Sequence, residues 1–263
     1  MKKTLFIAAA AVLVSVGAAS ARDLAPASGS PGATADSWSG FYAGVNGGYG
    51  WGNRTGCWDF AFNLPPYFTT DPITSCNGAP TSPVNYTFSY NQRGGLAGGQ
   101  AGYNWTKDML LFGIEASADW ANVSGRFDQS LINFDDGHGH TYSLLNIGGV
   151  GTWNSIVDLT AKVGVAHPKW MAFAEGGWAL ANFSFKGDSG CDFNMTNSGL
   201  VAGAGIGVKL GKHWSVEVKY DHAWLAAQNA SCTVDAFGGV PLKILTQGGI
   251  DTVKVALNYR FGG

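Results

Sequence analysis

From Phe41 to Phe261 apolar side chains fall on every second residue rather than at helical spacing, in stretches separated by Gly and polar residues. The last stretch is the clearest. Val253, Val255, Leu257, Tyr259 and Phe261 share one face, and Thr252, Lys254, Ala256, Asn258 and Arg260 share the other. Seven earlier stretches alternate in the same way. Their apolar faces run from Phe41 to Trp51, Ala97 to Trp105, Leu110 to Trp120, Val157 to Val165, Trp170 to Leu180, Leu200 to Leu210 and Trp214 to Tyr220. The pattern predicts an all-β chain of eight antiparallel strands. Three connections are short: Trp105 to Leu110, Val165 to Trp170 and Leu210 to Trp214. Four are long, at about residues 52–92, 122–154, 186–198 and 226–248. Short turns at one end and long loops at the other are the layout of a transmembrane up-and-down β-barrel.

Alternation by itself also fits a soluble barrel or sandwich, with the apolar face inward. Three features turn that face outward, toward lipid. Aromatic residues bound the apolar faces in two bands: Trp105, Phe112, Trp170, Trp214, Tyr259 and Phe261 near the short turns, and Trp51, Trp120, Trp178 and Trp224 toward the long connections. Such bands match the interfacial girdles of membrane barrels. The opposite faces are small or polar and carry isolated charges of both signs, as a lumen filled by side chains requires. The predicted lumen charges are Glu115, Lys162, Glu175, Glu217, Lys219, Lys254 and Arg260. Buried charges need partners. Glu115 is expected to pair with Lys162, and Glu217 and Lys219 are expected near Lys254 and Arg260. The third feature is an export signal. Lys2 and Lys3 precede an apolar run that ends at the small residues Ala19, Ser20 and Ala21, which predicts a signal peptide over residues 1–21. Residues 22–37, with Pro26 and Pro31, read as a flexible periplasmic segment, and residues 38–263 as the outer-membrane barrel with four long extracellular loops.

Composition agrees: 39 Gly with only 13% charged residues is unlike a soluble enzyme. A net charge of −2 gives no reason for nucleic acid as a partner. The expected surroundings are outer-membrane lipid, lipopolysaccharide and the barrel-assembly machinery. Cys57, Cys76, Cys191 and Cys232 all fall in the long connections, and an even count in an exported chain suggests disulfides. Of the three pairings, Cys57–Cys76 with Cys191–Cys232 is preferred, because the first two are near in sequence. His138, His140, Asp135 and Asp136 could hold a metal or haem, but two His and two Asp in a loop are a weak signal. No Ser/His/Asp set converges, so neither an enzyme nor a resident cofactor is expected.

The run WSGFYAGVNGGYGWG from Trp38 to Gly52 resembles the first strand of the small porin-like outer-membrane immunogenic proteins of alphaproteobacteria. The closing VKVALNYRF from Val253 to Phe261 resembles their last strand, here followed by Gly262 and Gly263. The resemblance covers essentially the whole mature chain. It implies an OmpA-type eight-stranded barrel, placed in the outer membrane of a Gram-negative cell as a surface antigen. The leading expectation is a structural barrel with an envelope-integrity and surface-interaction role. The alternatives are a narrow diffusion porin and a surface binder of haem or another ligand.

Overall fold

The computed structural model describes residues 38–60, 85–135, 141–188, 190–234 and 240–261. The predicted signal peptide and N-terminal segment, together with Cys76, Asp136, His138 and His140, lie outside them. Eight strands follow one another: β1 (Gly40–Phe60), β2 (Asn85–Lys107), β3 (Leu110–Asp135), β4 (Thr141–Ala166), β5 (Trp170–Gly187), β6 (Phe193–Lys209), β7 (Trp214–Val234) and β8 (Val240–Phe261). Each pairs antiparallel with the next, and β1 pairs with β8, so the sheet closes into a barrel without an edge. Closure satisfies the backbone inside a hydrocarbon layer, where water cannot.

The short turns follow from local chemistry. Lys107 pairs with Leu110, leaving only Asp108 and Met109 to reverse the chain. Asp108 takes φ 56°, a left-handed conformation that Asp tolerates better than most side chains. The β4–β5 turn is clasped by reciprocal hydrogen bonds between the backbones of His167 and Trp170, at 2.7 and 3.3 Å.

The facing inferred from the alternation is present on every strand. Phe41, Val45, Ile114, Leu159, Leu180, Leu200 and Val255 point outward and are exposed, while Glu115, Lys162, Glu217 and Lys254 are buried inside. From Phe41 to Trp51 on β1, and from Trp170 to Leu180 on β5, the outward apolar band matches the ~9–11 residues a tilted strand needs to cross the membrane.

The long connections differ from expectation. Strand extends well into each: β1 runs on to Phe60, β3 to Asp135, and β4 begins at Thr141. At ~3.3 Å per residue, the 26 residues of β3 extend far beyond a ~30 Å hydrocarbon core even when tilted. The reason lies in a change of polarity along unbroken strands. On β5 the outward face passes from Trp178 and Leu180 to Asn182, Ser184 and Lys186, while the inward face passes from Glu175 to Phe183 and Phe185. On β1 outward Trp51 gives way to Asn53, and the inward side chains become Arg54 and Trp58. Below this line the barrel is apolar outside and polar inside. Above it the arrangement is that of a water-soluble barrel. Outward polar groups there bond to one another, as Asn182 does to Ser155 (2.8 Å) and Asn53 to Asn91 (3.2 Å).

Cys57 and Cys232 accordingly sit on β1 and β7, not in loops. Cys232 is bonded to Cys191 in the β5–β6 connection, Cα–Cα 5.1 Å, which ties that connection to the upper part of β7. Cys57 is also oxidised.

Candidate functional site

The interior has three layers. At the short-turn end, Trp38 lies buried with Leu111, Ala166, Met171 and Phe173. Its indole N–H donates to the His167 carbonyl (2.6 Å), and the Arg260 guanidinium lies 4.7 Å from its ring.

The middle layer is the charge cluster. Lys162 Nζ reaches Glu115 on the neighbouring β3 at 2.8 Å and Glu217 on β7, across the lumen, at 2.9 Å. Lys219 Nζ crosses from β7 to Glu115 at 2.8 Å and also meets Glu175 at 3.2 Å. Lys254 Nζ lies 3.1 Å from Asp119, 3.2 Å from Asp158 and 3.7 Å from Asp221. Neutral groups complete the bonding. Tyr42 and Gln100 donate to Glu115, Thr160 to Glu175 and Ser117 to Asp158. Every member is nearly or fully buried.

Glu115, Lys162, Glu175, Glu217, Lys219 and Lys254 are thus brought together, but two expected pairings differ. Glu217 faces Ala256 on β8 and pairs with Lys162 across the barrel, not with Lys254 or Arg260. Arg260 belongs to the short-turn end, where it covers Trp38 and donates to the Lys212 carbonyl (3.3 Å). Its place one residue before Phe261 puts it beyond the reach of the cluster. The balance of charge also differs. The three lysines meet six carboxylates, because Asp119, Asp158 and Asp221 join the three glutamates.

Lys219 and Lys254 are direct cross-strand neighbours on β7 and β8. Like charges opposite each other are unfavourable. Asp221 Oδ2 relieves this by standing 3.7 Å from both ammonium groups. Gly203 on β6 pairs with Asp221 on β7, and a Cβ there would collide with the Asp221 carboxylate and the Tyr220 carbonyl. A side chain at that position would displace the one acid that separates the two lysines.

The upper layer is an aromatic core above the lipid boundary, built by Trp58, Phe88, Tyr90, Phe127, Trp153, Phe183, Phe185 and aliphatic neighbours. Rings stack closely: Phe88 on Phe127 at 5.2 Å and Phe127 on Phe185 at 5.6 Å between centroids. One cation enters it. Arg54 is 1% exposed, with its guanidinium 3.7 Å from the Phe183 ring centroid and 4.9 Å from that of Trp153. Burial pulls the Arg54 guanidinium below its usual value, and burial pushes the Tyr90 phenol up to about 12. The reading of residues 52–92 as a loop passed over Arg54 and Trp58. Phe88 and Tyr90, alternating with Thr87, Ser89 and Asn91, carry the signal that would have found this layer.

Among the described residues no group of His, Cys, Asp and Glu has the arrangement of a metal site. His222 lies inside β7, not near its end, and bonds Asp251 opposite it on β8 (2.7 Å), while His213 sits in the turn before β7 and stacks on Tyr259 (5.5 Å).

The 31 kDa outer-membrane immunogenic protein of Brucella melitensis is 23% identical over 233 residues, covering 86% of this chain and 84% of that protein. The counterpart from Brucella suis matches equally. Among solved structures, OprG of Pseudomonas aeruginosa is similar with a TM-score of 0.47 and 13% identity over 86% of this chain and 97% of that one. Ail of Yersinia pestis gives 0.36 and 14% over 85% and 99%. The model of the outer membrane protein beta-barrel domain matches residues 6–261. A closed barrel with a lipid-facing band, an ion-paired lumen and a match over nearly its whole length belongs to that family, and its place is the cell outer membrane.

Proposed function

We propose that this protein is a closed, non-conducting barrel that strengthens the outer membrane and presents its protruding strands as an interaction surface. The observation that carries this reading is the set of ion pairs across the lumen: Lys162 to Glu217, Lys219 to Glu115 and Lys254 to Asp119. Each joins strands on different sides of a barrel whose width side chains can fill. Above them the aromatic core, and below them Trp38, occupy the remaining depth.

The same bonding argues against catalysis. Among the described residues the lumen carboxylates are engaged by lysines and lie between Trp38 and the aromatic layer. The outward band supports lipid as the surrounding partner, and the polar outer face above it suits the lipopolysaccharide layer. Membership of the family supports insertion by the barrel-assembly machinery.

Single-channel recording of the refolded protein in planar bilayers tests the proposal. No steady conductance is expected. Large, stable steps from the wild-type protein would replace this reading with that of a narrow diffusion porin. A deletion strain provides the cellular test, with increased sensitivity to detergent as the expected result.

A further inference from the structure

Among the described residues Arg54 is a buried cation without a counter-ion. Its Nε donates to Thr246 Oγ1 (2.6 Å) and its Nη2 to Met195 Sδ (3.3 Å), but Nη1 has no acceptor among the described residues. The Trp58 indole N–H is also buried without an acceptor among the described residues. Both residues line one small chamber in the aromatic layer, closed by Phe88, Tyr90, Phe127 and Phe183. Among the described residues no carboxylate lines it. Tyr90 cannot serve as the counter-charge, because burial keeps its phenol protonated. Stacking on Phe183 offsets part of the cost of burying the guanidinium, but a ring quadrupole does not neutralise a full charge.

Elsewhere in this interior every buried lysine is matched by carboxylates within 4 Å, as Lys162, Lys219 and Lys254 are. Arg54 departs from that rule. A missing acceptor, an unneutralised cation and an enclosed space together describe a site whose occupant is negative. The free space is about 10 Å³ for the centre of a water-sized sphere, just enough for one water-sized body, so an ion of chloride size fits with a small outward shift of the surrounding rings. This excludes a large or branched ligand without rearrangement of the rings.

We propose that the chamber binds one compact monovalent anion of chloride size, with Arg54 as its cation and the Trp58 indole as a second donor. The anion completes the upper layer as Asp221 completes the middle one: it is the counter-charge that the described residues do not supply there. Its binding stabilises the folded barrel, since the unfolded chain lacks the chamber.

Two measurements test this on the full-length refolded protein. In unfolding titrations at constant ionic strength, replacing gluconate by chloride is expected to raise the midpoint and to saturate, with acetate acting less. Arg54→Met should lose that dependence, and Trp58→Phe should need several-fold more chloride. Equal responses to gluconate and chloride, or a chloride response unchanged in Arg54→Met, would overturn the proposal. In crystals of the wild-type protein grown with bromide, an anomalous peak is expected in contact with Arg54 Nη1. No peak there at saturating bromide would overturn it equally, and this arm needs no variant to fold.

Discussion

Tyr42 on β1 donates a 2.7 Å hydrogen bond to Glu115 on β3, reaching over Gly102 on the strand between them. Gly102 pairs with Tyr42 on one side and with Glu115 on the other, and a Cβ there would meet the Tyr42 ring carbon and hydroxyl. The absent side chain therefore makes the bond. Gly102→Val should break it, costing about 1.5–3 kcal/mol for a buried hydrogen bond to a charge and about 1–3 kcal/mol for overpacking. Gly99→Ala is the control, because a Cβ at Gly99 would find only ordinary contact at 3.4 Å from the Gly44 carbonyl. Urea titration of protein refolded into lipid vesicles should separate the two. Equal midpoints would show that Tyr42 does not depend on the gap.

The six-to-three balance of the lumen makes its lysines less replaceable than its acids. Among the described residues Lys254 is the one lysine paired with Asp119 and Asp158, and it shares Asp221 with Lys219, so Lys254→Met leaves two buried carboxylates without an ammonium and a third with Lys219 only. Lys162 keeps Glu115 when Glu217 is altered. Lys254→Met should cost about 3–5 kcal/mol, the range for breaking a buried pair, and Glu217→Gln clearly less. A larger loss from Glu217→Gln would invert the assignment of which charge is in short supply.

The facing of β8 gives a sharper contrast over one residue. Val255 is 43% exposed on the lipid side and Ala256 is 3% exposed inside. Val255→Arg should cost about 2–4 kcal/mol near the membrane midplane and lower the yield of assembled protein. Ala256→Ser should assemble normally. The shift between folded and unfolded bands on unboiled gels reads both out.

Reduction should loosen the upper barrel and spare the lower. Cys191–Cys232 ties the β5–β6 connection to β7 beyond the apolar band. Cleavage of the segment around Cys191 by added protease should accelerate after reduction, while the membrane-embedded fragment stays protected. Loss of the whole barrel on reduction would place the bridge in the folding core.

The membrane-spanning part was legible because lipid imposes a strict rule: Val253, Val255 and Leu257 must face it, so Lys254 and Ala256 must not. Nothing so simple governs the partners inside. The pairing of Lys162 with Glu217 depends on side chains meeting across the lumen from β4 and β7, which no local pattern records. The upper barrel was missed for a different reason. Asn53 reads as a loop residue, and Asn182 and Ser184 fall beyond the apolar face that ends at Leu180, when apolar outward faces are taken as the mark of a strand. Their alternation continues, but with Arg54, Trp58, Phe183 and Phe185 on the hidden side, and the sign of the pattern is reversed. Arg260 was grouped with the lumen charges on facing alone, and facing does not give depth.

That reversal of polarity also works as a depth mark. Trp51 and Asn53 are consecutive outward residues on β1, as Leu180 and Asn182 are on β5. A slip of one such step, about 7 Å of strand, would carry amides into acyl chains at one rim or bring the Trp170 band out of its interface at the other. The barrel therefore cannot ride higher or lower to suit its surroundings. In bilayers thinner or thicker than its own band the lipid must deform instead, at a modest energy per ångström, and the protein becomes a fixed gauge of membrane thickness around itself.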